Sequence, residues 1–245
     1  MNKYIYALGF FDGVHLGHQQ LLRACCRLAE EHGCKTAAIT FDRHPKSLFT
    51  ENPTVLISSV PDRKLLLNRY GIDSVRVLPV IREVMDLPWQ EFLQILLDDG
   101  AAGFVCGDDF RFGYRGEGNP ERLKLKCREL GLGCDIIHPV LQDGITVSST
   151  YIRTLVAQGE MERARAFLGH PHTLSETVAH GKKLGSALGF PTVNLRIPAG
   201  VVVPAHGVYA TRIWVDAEPH MAVTNVGSRP TVDDGDALTV EGFLL

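Results

Sequence analysis

The sequence predicts an α/β domain built on a parallel sheet, followed by a smaller all-β domain. Three observations carry this. Short apolar runs alternate with helix-length amphipathic stretches through the first part of the chain. The alternation stops near Gly169, and prolines, glycines and β-branched residues with little helical period follow. The chain has 245 residues, long for one ordinary domain and comfortable for two. The expected division is residues 1–155 for the α/β domain, 156–170 for a helical linker, and 171–245 for a barrel-like β domain.

Tyr4–Leu8 is apolar and reads as the first strand, and Gln19–His32 has a helical period that ends at Gly33. Thr36–Thr40 is a second short apolar run. Asp62–Tyr70 reads as a helix stopped by Gly71, Ser74–Leu78 as a strand, and Trp89–Asp98 as a helix opened by Pro88. Gly103–Cys106 and Asp135–His138 are strand-like, with a helix over Glu121–Leu130 between them. Two short helices, Tyr151–Ala157 and Glu160–Leu168, lead to the change of pattern. Beyond it Thr173–Ala179, Val208–Trp214, Ala222–Asn225 and Leu238–Leu244 read as strands between turn signals. A domain starting near Gly169 has about 75 residues, small for a barrel with a ligand site, and is expected to be incomplete at its C-terminal end.

Apolar residues make up 45% of the chain and charged residues 22%, enough for a real core. A formal net charge of −3 implies no broad basic surface for nucleic acid, so any anion site is local. No apolar run approaches the length of a membrane span, and MNKYIYALGF reads as a strand, not a secretory leader. None of the six cysteines forms a C-x-x-C pair, and they are expected to be reduced thiols of a cytoplasmic protein. The ten histidines are scattered without metal-ligand spacing beyond His15 and His18.

The segment FFDGVHLGH (Phe10–His18) hands the first strand to the first helix. His15 and His18 can each donate a ring N–H to a phosphate oxygen, beside the free N–H groups and positive dipole end of a helix start. Gly13 permits a tight turn, and Gly17 lets a nucleotide lie close to the backbone. Such donors suit nucleotidyl transfer, where a departing pyrophosphate gains charge. A loop of surface histidines fits the same four residues when they are read alone. TFDRHP (Thr40–Pro45) places His44 at the end of the second strand. GDDFRFGYRGEGN (Gly107–Asn119) combines carboxylates, arginines and alternate aromatics able to stack on a planar ring. VSSTYIR (Val147–Arg153) puts hydroxyls at a helix start with Arg153 one turn on; an ordinary N-cap has the same composition.

In HGKKLGSALGFPTVNLRIP (His180–Pro198), Gly181, Gly185 and Gly189 can wrap a phosphate chain, with Lys182 and Lys183 beside them. Thr192 and Asn194 share a face if the segment is a strand, and their oxygens suit Mg²⁺. A glycine-rich hairpin with exposed lysines fits the same spacing.

GFFDGVHLGH, TFDRHP, GDDFRFG and VSSTYIR, in that order, resemble the FMN adenylyltransferase half of the bacterial bifunctional riboflavin kinase/FAD synthetase family. GFPTVN, NVGSRPT and TVEGFLL resemble its riboflavin kinase half. The resemblance implies a Rossmann-like nucleotidyltransferase fold that transfers AMP from MgATP to FMN, giving FAD and pyrophosphate. It also implies a second site making FMN from riboflavin and ATP. It assigns His15 and His18 to catalysis at the ATP phosphates, and Phe11, Asp12, Gly13, Gly17, Ser148, Ser149, Thr150 and Arg153 to ATP binding. His44, Asp109 and Phe112 fall on the FMN side. In the kinase half it assigns Gly181, Lys182, Gly185, Gly189, Thr192 and Asn194 to ATP and flavin, the last two to Mg²⁺, and Glu241 to the base for the ribityl hydroxyl.

Phe10 stands where relatives often have asparagine, Arg43 where many have proline, and Ser186 where a basic residue is common. The family's kinase domain continues past the strand that ends here, so impaired kinase activity is expected. Small molecules are the expected partners. A transferase for another phosphate acceptor and a flavin- or nucleotide-binding module without chemistry are the alternatives.

Overall fold

A computed structural model describes residues 3–175, 178–179, 192–195, 197, 199–215, 218–231 and 235–245. The chain runs β1 (Tyr4–Leu8), α1 (Leu16–His32), β2 (Lys35–Phe41), α2 (Val60–Arg69), β3 (Ser74–Leu78), α3 (Arg82–Met85), α4 (Trp89–Asp98), β4 (Ala101–Gly107), α5 (Pro120–Leu130) and β5 (Gly133–Ile137). The hairpin β6 (Leu141–Gln142) and β7 (Ile145–Thr146) precedes α6 (Ser149–Ala157) and α7 (Met161–Leu168). Then come β8 (Val178–Ala179), β9 (Thr192–Leu195), β10 (Gly207–Val215), β11 (Glu218–Thr231) and β12 (Gly235–Leu244).

The first sheet has strand order β3-β2-β1-β4-β5, and all four pairings are parallel. Its central strands are apolar runs because helices cover both faces. Successive residues of β1 point opposite ways. Ile5 and Ala7 join one cluster with Leu22 and Cys25 of α1, Leu67 of α2 and Val105. Tyr6 and Leu8 join the other with Phe104, Phe92 and Leu93 of α4, and Leu123 of α5. The order reverses between β1 and β4, so their carboxyl ends open a crevice, the usual ligand position in open α/β sheets.

A third cluster joins Ile152, Leu155 and Val156 of α6 to Ala164 and Phe167 of α7, with Ile57, Val147 and Val202. The second sheet is antiparallel among the described residues, in the order β10-β11-β12-β9-β8. Among the described residues of the expected strand Thr173–Ala179, Val178–Ala179 is strand, and Thr173–Ser175 is irregular backbone laid against the first domain. Ser175 there donates its N–H to Asp62 at 3.4 Å.

Candidate active site

The turn between β1 and α1 is built against steric preference. Phe11 (φ 58°), Gly13 (φ 73°) and Val14 (φ 41°) are all left-handed, a region that costs energy for the two residues with a Cβ. Buried polar contacts hold it there. Asp12 Oδ1 accepts the N–H groups of Ile57 (2.8 Å) and Ser58 (3.1 Å). Gly13 N–H donates to Ser58 Oγ at 3.0 Å, and Thr40 Oγ1 donates to the Phe10 carbonyl at 2.6 Å. A Cβ on Gly13 would stand 2.8 Å from Ile57 Cγ2, so the position is closed to other residues by space as well as by φ.

His15 is the N-cap of α1, and its Nδ1 accepts the His18 N–H at 3.4 Å. That leaves Nε2 as the ring donor of the neutral form. The two imidazoles stack with centroids 3.6 Å apart and planes 15° from parallel. Burial holds His15 down at about 4. Burial, then His15, then Arg63 hold His18 well below the ordinary histidine range. Both rings are therefore neutral at physiological pH. Gly17 sits under the His15 ring: a Cβ there would meet Cε1 and Nδ1 at 3.3 Å, so its first service is to seat the imidazole.

The hydroxyl and arginine residues of α6 close on this turn. Ser148 caps the helix by accepting the Tyr151 N–H at 3.3 Å. Ser149 Oγ donates to the Asp12 carbonyl at 3.1 Å. Arg153 reaches Asp12 Oδ2 (3.3 Å), the Val55 carbonyl (3.4 Å) and Thr150 Oγ1 (3.0 Å). The clasp and the histidine turn thus share one carboxylate across 141 residues of chain. Phe11 and Asp12 are fully buried, so their side chains brace the turn and face no solvent-borne ligand. Burial pushes the Asp12 carboxyl up, against the pull of Arg63, two backbone N–H groups and Arg153.

A cleft of about 650 Å³ opens at the carboxyl ends of β1, β2 and β4. His18, His44, Asp109 and Phe112 all line it, as do Lys46, Phe110 and Arg111. His44 lies edge-on to Phe10 with centroids 5.2 Å apart, and burial, Arg153 and Lys46 lower its pKa. Asp109 is exposed. Phe112 is a core side chain, only 7% exposed and packed with Phe92 and Trp89; Phe110, stacked on it at 5.6 Å, is the more open ring.

In the second sheet Glu241 pairs with Asn194 on one side and Asn225 on the other, so the three occupy one row across β9, β12 and β11. Cross-strand partners project from the same face. Thr192 pairs with Phe243. Gly181, Lys182, Gly185 and Gly189 lie outside the described residues.

A family model described as FAD synthetase matches residues 1–151, and one described as riboflavin kinase matches residues 168–245. The bifunctional riboflavin kinase/FMN adenylyltransferase of Listeria monocytogenes is 33% identical over 248 residues, covering 100% of this chain and 78% of its own. The chain belongs to this family. The Bacillus subtilis relative is also 33% identical, covering 94% of this chain and 73% of its own. The Escherichia coli K12 relative is 32% identical, covering 93% and 74%. A crystal structure described as a macrolide-efflux protein from Streptococcus pneumoniae superimposes with a TM-score of 0.84 at 28% identity, covering all of this chain and 80% of that one. No helix among the described residues is long and apolar enough to cross a membrane. Family members carry both an FMN adenylyltransferase and a riboflavin kinase domain and use ATP, riboflavin and FMN as substrates.

Within the family fold, sequence reasoning missed the residues that support the turn from behind. Arg63 is fully buried; it donates to Thr40 Oγ1 (2.9 Å) and the Phe41 carbonyl (2.7 Å), and lies 4.5 Å from the Phe10 ring centroid. Ser58, His170 and His172 also escaped notice. The only signal was indirect: a serine pair ahead of Pro61 at a helix start, and two histidines flanking Pro171.

Proposed function

We propose that the cleft transfers AMP from ATP to FMN, giving FAD and pyrophosphate, and that the second sheet carries riboflavin phosphorylation. The observation that carries the first half is the meeting of His18, His44 and the β4 loop in one cleft at the sheet's switch point. The neutral imidazoles of His15 and His18 donate ring N–H groups to ATP phosphate oxygens, beside the N-terminus of α1. Fixed donors strengthen as negative charge gathers on the leaving pyrophosphate. Arg153, with Ser149 and Thr150, adds cationic and hydroxyl groups from the opposite side. FMN enters along Phe110 and Phe112, with His44, Lys46, Asp109 and Arg111 around it, and its phosphate oxygen attacks the α-phosphorus in line. Positioning and charge stabilisation suffice, without a covalent enzyme intermediate.

In the second half Glu241 is assigned as base for the ribityl hydroxyl and Asn194 as its neighbour on β9. The hard oxygen donors of Thr192 and Asn194 suit Mg²⁺, which when bound screens phosphate charge. Residues 1–155 form the adenylyltransferase unit on this reading and 171–245 the kinase unit, in a cytoplasmic protein.

The test is direct. Incubated with MgATP, the chain converts FMN to FAD and riboflavin to FMN, resolved by chromatography. Glu241→Gln abolishes the second conversion and spares the first. Flavin binding with neither product would identify a binding module, and AMP transfer to a different phosphate acceptor would identify another transferase.

A further inference from the structure

The residues that follow α7 are laid across the back of the histidine turn. Gln19 Nε2, on α1, bonds both the Val14 carbonyl (2.9 Å) and the Leu168 carbonyl (2.6 Å). Gly169 (φ 75°) then brings the chain so close that a Cβ would stand 2.6 Å from Leu16 Cδ2. His170 Nε2 lies 2.9 Å from the Gly13 carbonyl, and His172 Nε2 lies 3.2 Å from the Ile57 carbonyl. Gly13 is therefore tied at both polar backbone atoms: its N–H to Ser58 and its C=O to His170, 157 residues away. Ile57 is tied in the same manner, its N–H to Asp12 and its C=O to His172. Next to it Leu56 donates to Gly200 and accepts from Val202, both at 2.7 Å.

We infer that this strap, Gly169–His172, is a working part of the adenylyl-transfer site, with His170 the positioning residue for the turn that carries His15. The inference rests on the adenylyltransferase reading above. His170 touches no substrate. It acts by holding the Gly13 peptide in its left-handed conformation, two residues ahead of the N-cap imidazole. Without that donor the Gly13–Val14 peptide keeps only the bond from the Val14 N–H to the Phe11 carbonyl (3.1 Å), and the His15 and His18 rings lose part of their fixed aim at the phosphates. A preorganised donor that must be re-ordered on binding costs affinity.

The experiment compares His170→Ala, His170→Phe and His170→Gln in the full chain. Phenylalanine keeps ring volume without a donor; glutamine keeps an amide N–H at about the reach of Nε2. In FAD formation the first two raise KM for ATP about tenfold and lower kcat by less than threefold, while His170→Gln returns KM to within twofold of the parent. Riboflavin phosphorylation is unmoved in all three. Calorimetric titration with a non-hydrolysable ATP analogue shows the same tenfold loss and the same rescue. If His170→Ala does not fold, His170→Phe carries the comparison. Parental ATP affinity and KM in both donorless variants would overturn the strap's role and leave the adenylyltransferase reading standing. A parent that binds the analogue yet makes no FAD would overturn that reading, and the titration would still decide the strap. A parent that binds no nucleotide would overturn both.

Discussion

The turn after β1 and the loop after β4 line the same cleft, and they are held in different ways. In the turn, Phe11, Asp12 and Val14 are fully buried, and the backbone is fixed by the turn's own Asp12 and by Ser58 and Thr40 from two other segments. The loop Gly107–Asn119 is pinned at Phe112, whose N–H and carbonyl pair with Gly118 at 3.2 and 2.8 Å, with the Asp108 and Tyr114 N–H groups on the Ile137 and Leu87 carbonyls (3.1 and 2.6 Å). Around that pin Asp109, Arg111, Tyr114 and Arg115 are exposed. The side assigned to phosphate is thus braced and the side assigned to flavin is left open. Charge stabilisation needs donors at fixed points, whereas a planar ring is recognised by area and a few polar groups.

The sharpest way to break this contrast is to remove the brace. Asp12→Ala strips the acceptor from two buried N–H groups and the counter-charge from Arg153 and Arg63. Unfolding free energy is expected to fall by about 3–5 kcal/mol in urea denaturation. Asp12→Asn keeps an acceptor oxygen and costs less. His18→Ala leaves the brace intact and removes a donor: FAD formation is expected to drop roughly 10²–10³-fold with FMN formation unchanged. FAD made at the parental rate would detach His18 from the chemistry. On the open side the effect is smaller. Phe110→Ala should raise KM for FMN by roughly five- to tenfold and leave KM for ATP alone, in keeping with the modest worth of one aromatic contact.

A further effect near neutrality is a pH dependence of stability. His15 and His172 are both held at about 4 by burial, and His18 well below its ordinary value. Between pH 6.5 and about 4 the unfolded chain binds protons on these rings that the folded chain refuses. Stability is therefore lost as pH falls through that window. The urea midpoint should drop from pH 7 to pH 5, and a flat profile would mean the rings are charged in the fold.

Much of the first domain was legible because its strands are short apolar runs punctuated by glycine. The expected strand Thr36–Thr40 is β2, one residue longer at each end, and the expected helix Glu121–Leu130 is α5 with Pro120 added. The second sheet was harder to read. β11 runs Glu218–Thr231, yet Pro219, Pro230 and its polar residues hid all but Ala222–Asn225. β6 and β7 have two residues each, too few for any period. At the site, the histidines and the α6 hydroxyls were legible as local motifs. Arg63 was not, because Asp62-Arg63-Lys64 reads as a solvated helix face. Its burial comes from Thr40 and Phe41, more than twenty residues away, which no local pattern encodes.

Val55–Ser58 lends its peptide groups to both halves of the molecule at once, Leu56 to Gly200 and Val202, and Ile57 and Ser58 to Asp12. For protein engineering this draws a line. A proline at 56, 57 or 58 would delete a donor that one half or the other depends on. The exposed run Phe49–Pro53 just ahead of it is where a reporter or affinity tag can be grafted with least disturbance.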